Sequence, residues 1–282
     1  MVTASGQSAA LIAITNIASA GDHIISASAI YGGTFNLFNV TLRKLGIDTT
    51  FVNVNATPEE IQALIRPNTK AIFGETITNP SLDVLDIEKF AQVAHKNGIP
   101  LIVDNTFPTP ILCRPFEFGA DIVMHSTSKF LDGHAVVLGG AIVDSGRFDW
   151  QASADRFPGL TQPDASYHGI VYTDTFGEDA YITKARVQMM RDFGAQMSPM
   201  SAFILNMNME TLHLRMQRHC ENAQKVAEYL QQHEKIAWVN YPGLPDNPYY
   251  ALARKYLPKG CSAVIAYGVK GGKAAAKQFM EH

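Results

Sequence analysis

The stretch Asp121-Ile122-Val123-Met124-His125-Ser126-Thr127-Ser128-Lys129-Phe130-Leu131-Asp132-Gly133-His134 decides how the rest of the chain is read. The segment from Asp121 to Met124 is apolar enough for a buried strand. Ser126, Thr127, Ser128 and Lys129 are then expected at its carboxyl end, the edge at which open α/β sheets bind ligands. Ser126 and Ser128 are two residues apart, so on an extended backbone their hydroxyls point the same way and can serve one anion. A lysine is usually solvated. Lys129, one residue beyond that anion, has a further option: its amine can form a Schiff base with an aldehyde, provided burial or a neighbouring cation favours the free base.

Moving outward, the chain alternates strand and helix. Ser8 to Ala20 is small and apolar on nearly every side, which predicts a buried helix closed by Gly21-Asp22. Ser5-Gly6-Gln7 stands at its start, where free N–H groups collect and phosphate binds well, although a plain N-cap serine reads the same way. His23 to Ser28 is a predicted strand, and Tyr31-Gly32-Gly33 follows it as a turn that can lay an aromatic ring flat against a ligand. Thr34 to Leu45 is a predicted amphipathic helix, Ile47 to Val52 a strand, and Pro58 to Ile65 a short helix with proline at its first position.

Lys70 to Glu75 is the next predicted strand. At its end Asn79 precedes a proline and is expected to be extended, with its amide projecting into the edge cleft. Asp86 caps a helix to Asn97, and Pro100 to Val103 is a wholly apolar strand running into Asp104. A carboxylate at that point is costly to bury unless a cation meets it. Asp104 and Lys129 are one crossover apart, which puts both at the same sheet edge. Val136 to Val143 is expected to return as a buried strand with close backbone approach at Gly139-Gly140. Phe148 to His168 reads as a surface excursion, within which His168 is either a base or a loop histidine satisfied by a carbonyl. A domain boundary is expected near residue 190, followed by helices Met200 to Leu205 and Leu212 to Leu230 and by strands Ala237 to Asn240 and Ser262 to Tyr267. Most of the methionines of this region read as core filler.

Composition excludes several classes. A net charge of −3 offers no footprint for nucleic acid. No apolar run is long enough to span a membrane, and no secretory leader opens the chain. Cys113, Cys220 and Cys261 lack paired spacing, so they read as reduced cytosolic thiols rather than a disulfide framework or zinc site. His213 and His219 face apart on one helix, so no metal site is expected. No G-x-G-x-x-G or P-loop is present, which sets nucleotide enzymes aside.

Ser126-Thr127-Ser128-Lys129 with Gly133-His134 resembles the cofactor-lysine motif of the Cys/Met-metabolism family of pyridoxal-phosphate enzymes, and the resemblance runs along essentially the whole chain. It implies fold type I: a mainly parallel sheet with helices on both faces, in a large domain over residues 1–190, plus part of a smaller α+β C-terminal domain over 191–282. The cofactor implied is pyridoxal 5'-phosphate. Carried over by motif, Gly6 and Gln7 hold its phosphate with Ser126 and Ser128, Tyr31 stacks on its ring and Asn79 meets the ring hydroxyl. Asp104 pairs with the ring nitrogen and Lys129 carries the Schiff base, so Lys129, Asp104 and Tyr31 are the expected catalytic residues.

The stretches Pro163 to Gly169, Arg191 to Gly194, Glu210 to Arg215 and Asn240 to Pro245 point to the sulfhydrylase branch. This implies a cytoplasmic homotetramer in methionine biosynthesis that makes L-homocysteine and acetate from O-acetyl-L-homoserine and sulfide by γ-replacement. Methionine γ-lyase or cystathionine γ-synthase chemistry, or a catalytically silent fragment, are the alternatives. The family's N-terminal arm and its late substrate-carboxylate arginine have no counterpart here, so the chain is expected to be truncated at both ends.

Overall fold

The computed structural model of the protein describes residues 1–281. A seven-stranded sheet is built from β1 (Val2–Thr3), β2 (His23–Ala27), β3 (Asp48–Val52), β4 (Thr69–Glu75), β5 (Leu101–Asp104), β6 (Ile122–Ser126) and β7 (Gly140–Asp144), in the order β1-β7-β6-β5-β4-β2-β3. The five strands from β6 to β3 run parallel, and β7 joins β6 antiparallel. A second sheet pairs β8 (Ile236–Asn240) with β9 (Ala266–Val269). The fold is α/β, with a mainly parallel sheet flanked by helices. The central strands β4, β5 and β6 carry apolar runs (residues 71–73, 101–103 and 122–124) because a parallel sheet is covered on both faces.

Helix α1 (Gly6–Thr15) is buried as expected but stops five residues before Ala20. The cause is tertiary. Tyr181 Oη donates to the Ala13 carbonyl, Lys184 Nζ donates to the Asn16 carbonyl, and Asn16 Nδ2 donates to the Tyr181 carbonyl, each at 2.9 Å. The carbonyls that would have continued the helix are therefore satisfied from α5 (Ala180–Lys184).

The helix predicted from Thr34 starts earlier, as α2 (Gly32–Asn36), and continues with π-type pairing over Leu37–Leu42. Thr57 caps α3 (Pro58–Gln62) through a capping box, and Asp86 caps α4 (Ile87–Lys96) by accepting from the Lys89 N–H. α1 packs on β6 and β7, and α4 on β4 and β5. After α5 come α6 (Pro199–Met209), α7 (Leu212–Gln232) and α8 (Tyr250–Tyr256).

Four further expectations are corrected. Val136 and Leu138 are exposed, and the strand begins only at Gly140. Asp132 Oδ2 accepts the His134 and Val136 N–H groups, which ties this stretch into a loop. Phe148 to His168 is not simply a surface excursion: Trp150 and Phe157 are buried in an aromatic cluster with Phe148 and Tyr181. The second strand of the small sheet begins four residues after Ser262, because the Ser262 carbonyl accepts from the Tyr241 hydroxyl and does not join a ladder. Met197 and Met216 fill the core as expected, whereas Met200, Met207 and Met209 are exposed.

Candidate active site

A cavity of about 230 Å³ opens at the carboxyl ends of β4, β5 and β6, beside the N-terminus of α1. All eight residues expected from the sequence line it: Gly6, Gln7, Tyr31, Asn79, Asp104, Ser126, Ser128 and Lys129. His168 lies outside it, exposed on its loop. A larger cavity of about 780 Å³ lies between α7 and α8 and contains none of these residues.

Parallel pairing brings the ends of three strands together. Asp104 is in register with Glu75 on one side and Met124 on the other, which places Lys129 five residues past the strand position beside Asp104. At the wall formed by α1, a Cβ on Gly6 would stand 2.6 Å from Ser126 Cβ and 3.0 Å from its Cα. Only glycine lets the helix start reach β6 so closely. Ser5 caps the helix by accepting from the Ser8 N–H at 3.0 Å, while the first-turn N–H groups of Gly6 and Gln7 have no intrahelical partner. These donors, with the helix dipole and the Ser126 hydroxyl, form an anion cradle.

Ser128 is less free than the sequence implied. Its hydroxyl donates to the Gly139 carbonyl at 3.2 Å and accepts from the Gly139 N–H at 2.9 Å. Lys129 is exposed at the cavity mouth rather than buried. The Asn79–Pro80 bond is cis, and the Asn79 N–H donates to Glu75 Oε2 at 3.2 Å. The Tyr31 ring is half exposed above the cavity, and its N–H donates to Glu75 Oε1 at 2.7 Å.

Glu75 and Asp104 are buried side by side, 4% and 8% exposed, and no cationic side chain pairs with either among the described residues. Burial pushes the Asp104 carboxyl up, against the Thr106 N–H (2.9 Å) and hydroxyl (2.5 Å) that favour its charged form. Burial, and then the Asp104 charge, drive Glu75 well above the usual carboxylate range. Two adjacent buried acids without a counter-cation are stabilised by a ligand that brings a positive N–H donor. A protonated pyridine ring fits that demand, an aldehyde at its far side suits Lys129, and a phosphate suits the α1 cradle.

Sequence reading missed Glu75 and Thr106. Glu75 carried the same signal as Asp104, a carboxylate at the end of an apolar strand. Thr106 left no such trace: its hydroxyl links Asp104 to β6 by accepting from the Ser126 N–H at 2.8 Å, a contact between chain segments twenty residues apart.

Over 281 residues the chain is 50% identical to a homocysteine synthase of Schizosaccharomyces pombe, covering 99% of this chain and 65% of the relative. It is 48% identical over 280 residues to an O-acetyl-L-homoserine sulfhydrylase of Corynebacterium glutamicum, covering 98% and 64%. The crystal structure of a putative O-acetylhomoserine (thiol)-lyase of Campylobacter jejuni, which contains a pyridoxyl-lysine phosphate, superposes with a TM-score of 0.92 at 37% identity, covering 96% of this chain and 66% of that one. The chain thus spans slightly less than two thirds of the length of these curated relatives. The Cys/Met metabolism PLP-dependent enzyme family matches residues 1–282 throughout, and it is to this family that the chain belongs.

Proposed function

We propose that the protein catalyses γ-replacement on O-acetyl-L-homoserine with sulfide, giving L-homocysteine and acetate, and that the cavity at β4–β6 is where it does so. The observation that carries this reading is the uncompensated Glu75–Asp104 pair facing Lys129 across a cavity whose third wall is a helix N-terminus. The names of the relatives support the choice of substrate.

Pyridoxal phosphate, when bound, supplies an electron sink for the bond broken at the substrate's α-carbon. Asp104, oriented by Thr106, holds a proton at the ring nitrogen. Gly6, Gln7 and Ser126 bind the phosphate, and Ser128 adds its hydroxyl by turning from Gly139. Tyr31 covers one ring face and Asn79 meets the ring hydroxyl. Lys129 takes the α-proton and, by relaying protons, assists the steps at the β-carbon. In the net reaction the γ-carbon–oxygen bond breaks and the γ-carbon–sulfur bond forms. One sulfide proton leaves with the acetate.

We assign residues 1–190 to the cofactor-binding domain and 191–282 to part of a C-terminal domain, since the second sheet and helices α6 to α8 fall in the latter. The protein is read as a cytosolic homo-oligomer. Its three cysteines are free thiols, and Met200, Phe203 and Met207 form an exposed apolar stripe on one face of α6 that suits a second copy.

The test is to reduce the reconstituted protein with borohydride, locate the cofactor by peptide mass, and measure homocysteine with sulfide beside cystathionine with cysteine. Cofactor on Lys129 and homocysteine from sulfide are expected. Label on another lysine, or product only with cysteine, would overturn the assignment.

A further inference from the structure

Arg215, which marked a family branch in the sequence, has no part in the cavity, yet its guanidinium sits directly behind the lysine turn. That turn is closed by two backbone bonds, Asp132 N–H to the Thr127 carbonyl (2.9 Å) and Gly133 N–H to the Lys129 carbonyl (2.8 Å). The next two carbonyls of the turn accept from Arg215. Arg215 Nη1 donates to the Phe130 carbonyl at 2.7 Å and Nη2 to the Leu131 carbonyl at 3.2 Å.

The other edge of the guanidinium is fixed at the junction of α6 and α7. Nη2 also donates to the Asn208 carbonyl at 2.9 Å, and Nε donates to Thr211 Oγ1 at 3.2 Å. Asn208 acts in parallel: its Nδ2 donates at 2.8 Å to Asp132 Oδ1, a carboxylate with no exposed surface whose second oxygen holds the His134 and Val136 N–H groups. Gly133 makes room, since its φ is +71° and a Cβ there would lie 2.2 Å from Arg215 Nη1.

We propose that Arg215 and Asn208 are positioning residues for Lys129, capping the Phe130–Gly133 turn so that the amine is presented to the cavity in one direction. The proposal rests on Lys129 being the cofactor lysine. A planar fork of donors can bridge two carbonyls of a turn to a neighbouring helix junction; a lysine ammonium at the same place is a point charge on a flexible stem and holds the turn less firmly. The consequence is that the lysine turn moves with the α6–α7 junction and not with the sheet alone.

The experiment compares the parent chain with Arg215→Ala, Arg215→Lys and Asn208→Ala. Arg218→Met serves as the control, because that side chain is 75% exposed and, among the described residues, pairs only with Glu221. Each protein is mixed with pyridoxal phosphate. The rate of borohydride-stable attachment at Lys129 and the visible circular dichroism of the bound cofactor are recorded, with far-ultraviolet spectra confirming the fold. Arg215→Ala is expected to slow attachment by roughly ten- to a hundredfold, the scale of an ångström of misplacement, and to weaken the visible band. Arg215→Lys should fall between, added guanidinium ion should restore part of the rate to Arg215→Ala, and Arg218→Met should match the parent. Parent-like rate and dichroism in Arg215→Ala would overturn the proposal. Where Arg215→Ala fails to fold, Asn208→Ala decides: it leaves the guanidinium in place and frees Asp132, so an unchanged attachment rate overturns the proposal and a slowed one supports it. Cofactor on a different lysine in the parent chain would instead overturn the reading of Lys129 itself.

Discussion

Replacing Gly6 by alanine tests the anion cradle at a single atom. The added Cβ would meet Ser126 at 2.6 Å from its Cβ, 2.9 Å from its Oγ and 3.0 Å from its Cα. Carbon atoms rest at about 3.5–4.0 Å, so the helix start must withdraw from β6 by about 1 Å. The Ser126 side chain cannot relieve the clash by rotating, since a backbone atom is among the three. That withdrawal lengthens the hydrogen bonds from Gly6 and Gln7 to a bound phosphate. Bonds to a charged group contribute about 1.5–3 kcal/mol each, so losing one weakens cofactor binding by roughly ten- to a hundredfold. Helix propensity acts the other way, because alanine is favoured over glycine by up to about 1 kcal/mol. The two effects separate in the assay: Gly6→Ala is expected to bind pyridoxal phosphate more weakly in a fluorescence titration while the cofactor-free protein keeps its midpoint in urea. Adding Ser126→Gly removes two of the three clashing atoms and should recover less than the full loss. A dissociation constant within twofold of the parent would refute the argument that this close approach builds the phosphate site.

Asp104→Asn keeps the shape of the site but cannot hold a proton at a ring nitrogen; α-proton exchange in deuterated water should fall by about a hundredfold or more with the cofactor still bound, and a change within about tenfold would assign Asp104 another role. His95 Nε2 donates to Asp121 Oδ2 at 2.9 Å, and that hydrogen bond raises its pKa above the ordinary value. The folded state therefore holds the proton more tightly than the unfolded one, so the contribution is complete below the unfolded value of about 6.5 and is lost as pH rises through the folded value; the stability gap between parent and His95→Gln, read from urea midpoints, should narrow from pH 5 to pH 9, and a gap that widens would contradict this. Lys184→Met leaves the Asn16 carbonyl without its donor and should cost about 1.5–3 kcal/mol in chemical denaturation, while a loss below about 0.5 kcal/mol would mean the α1 terminus is held by Tyr181 alone.

What the sequence determined by itself was whatever depends on residues close along the chain. Apolar runs ending in Asp104 or in Ser126-Thr127-Ser128-Lys129 mark strand ends, because a strand covered on both faces is mostly apolar until it reaches the sheet edge. Asp86 and Thr57 mark helix starts, because a cap bonds N–H groups only two or three residues away. Asp104, Ser126, Ser128 and Lys129, expected at strand ends on such grounds, line the cavity, as do Gly6, Gln7, Tyr31 and Asn79, whose roles came from the family resemblance. Tertiary structure decided what depends on distant segments meeting. Glu75 became half of an acid pair only when β4 lay beside β5. Gly6 became a necessity only when α1 met Ser126. Helix α1 ended at Thr15 because Tyr181 and Lys184 reached its carbonyls, and Val136 left the ladder because Asp132 held its N–H. Periodicity and capping are local and leave a trace in spacing; a hydrogen bond between segments far apart in the chain leaves none until the sheet has brought them together.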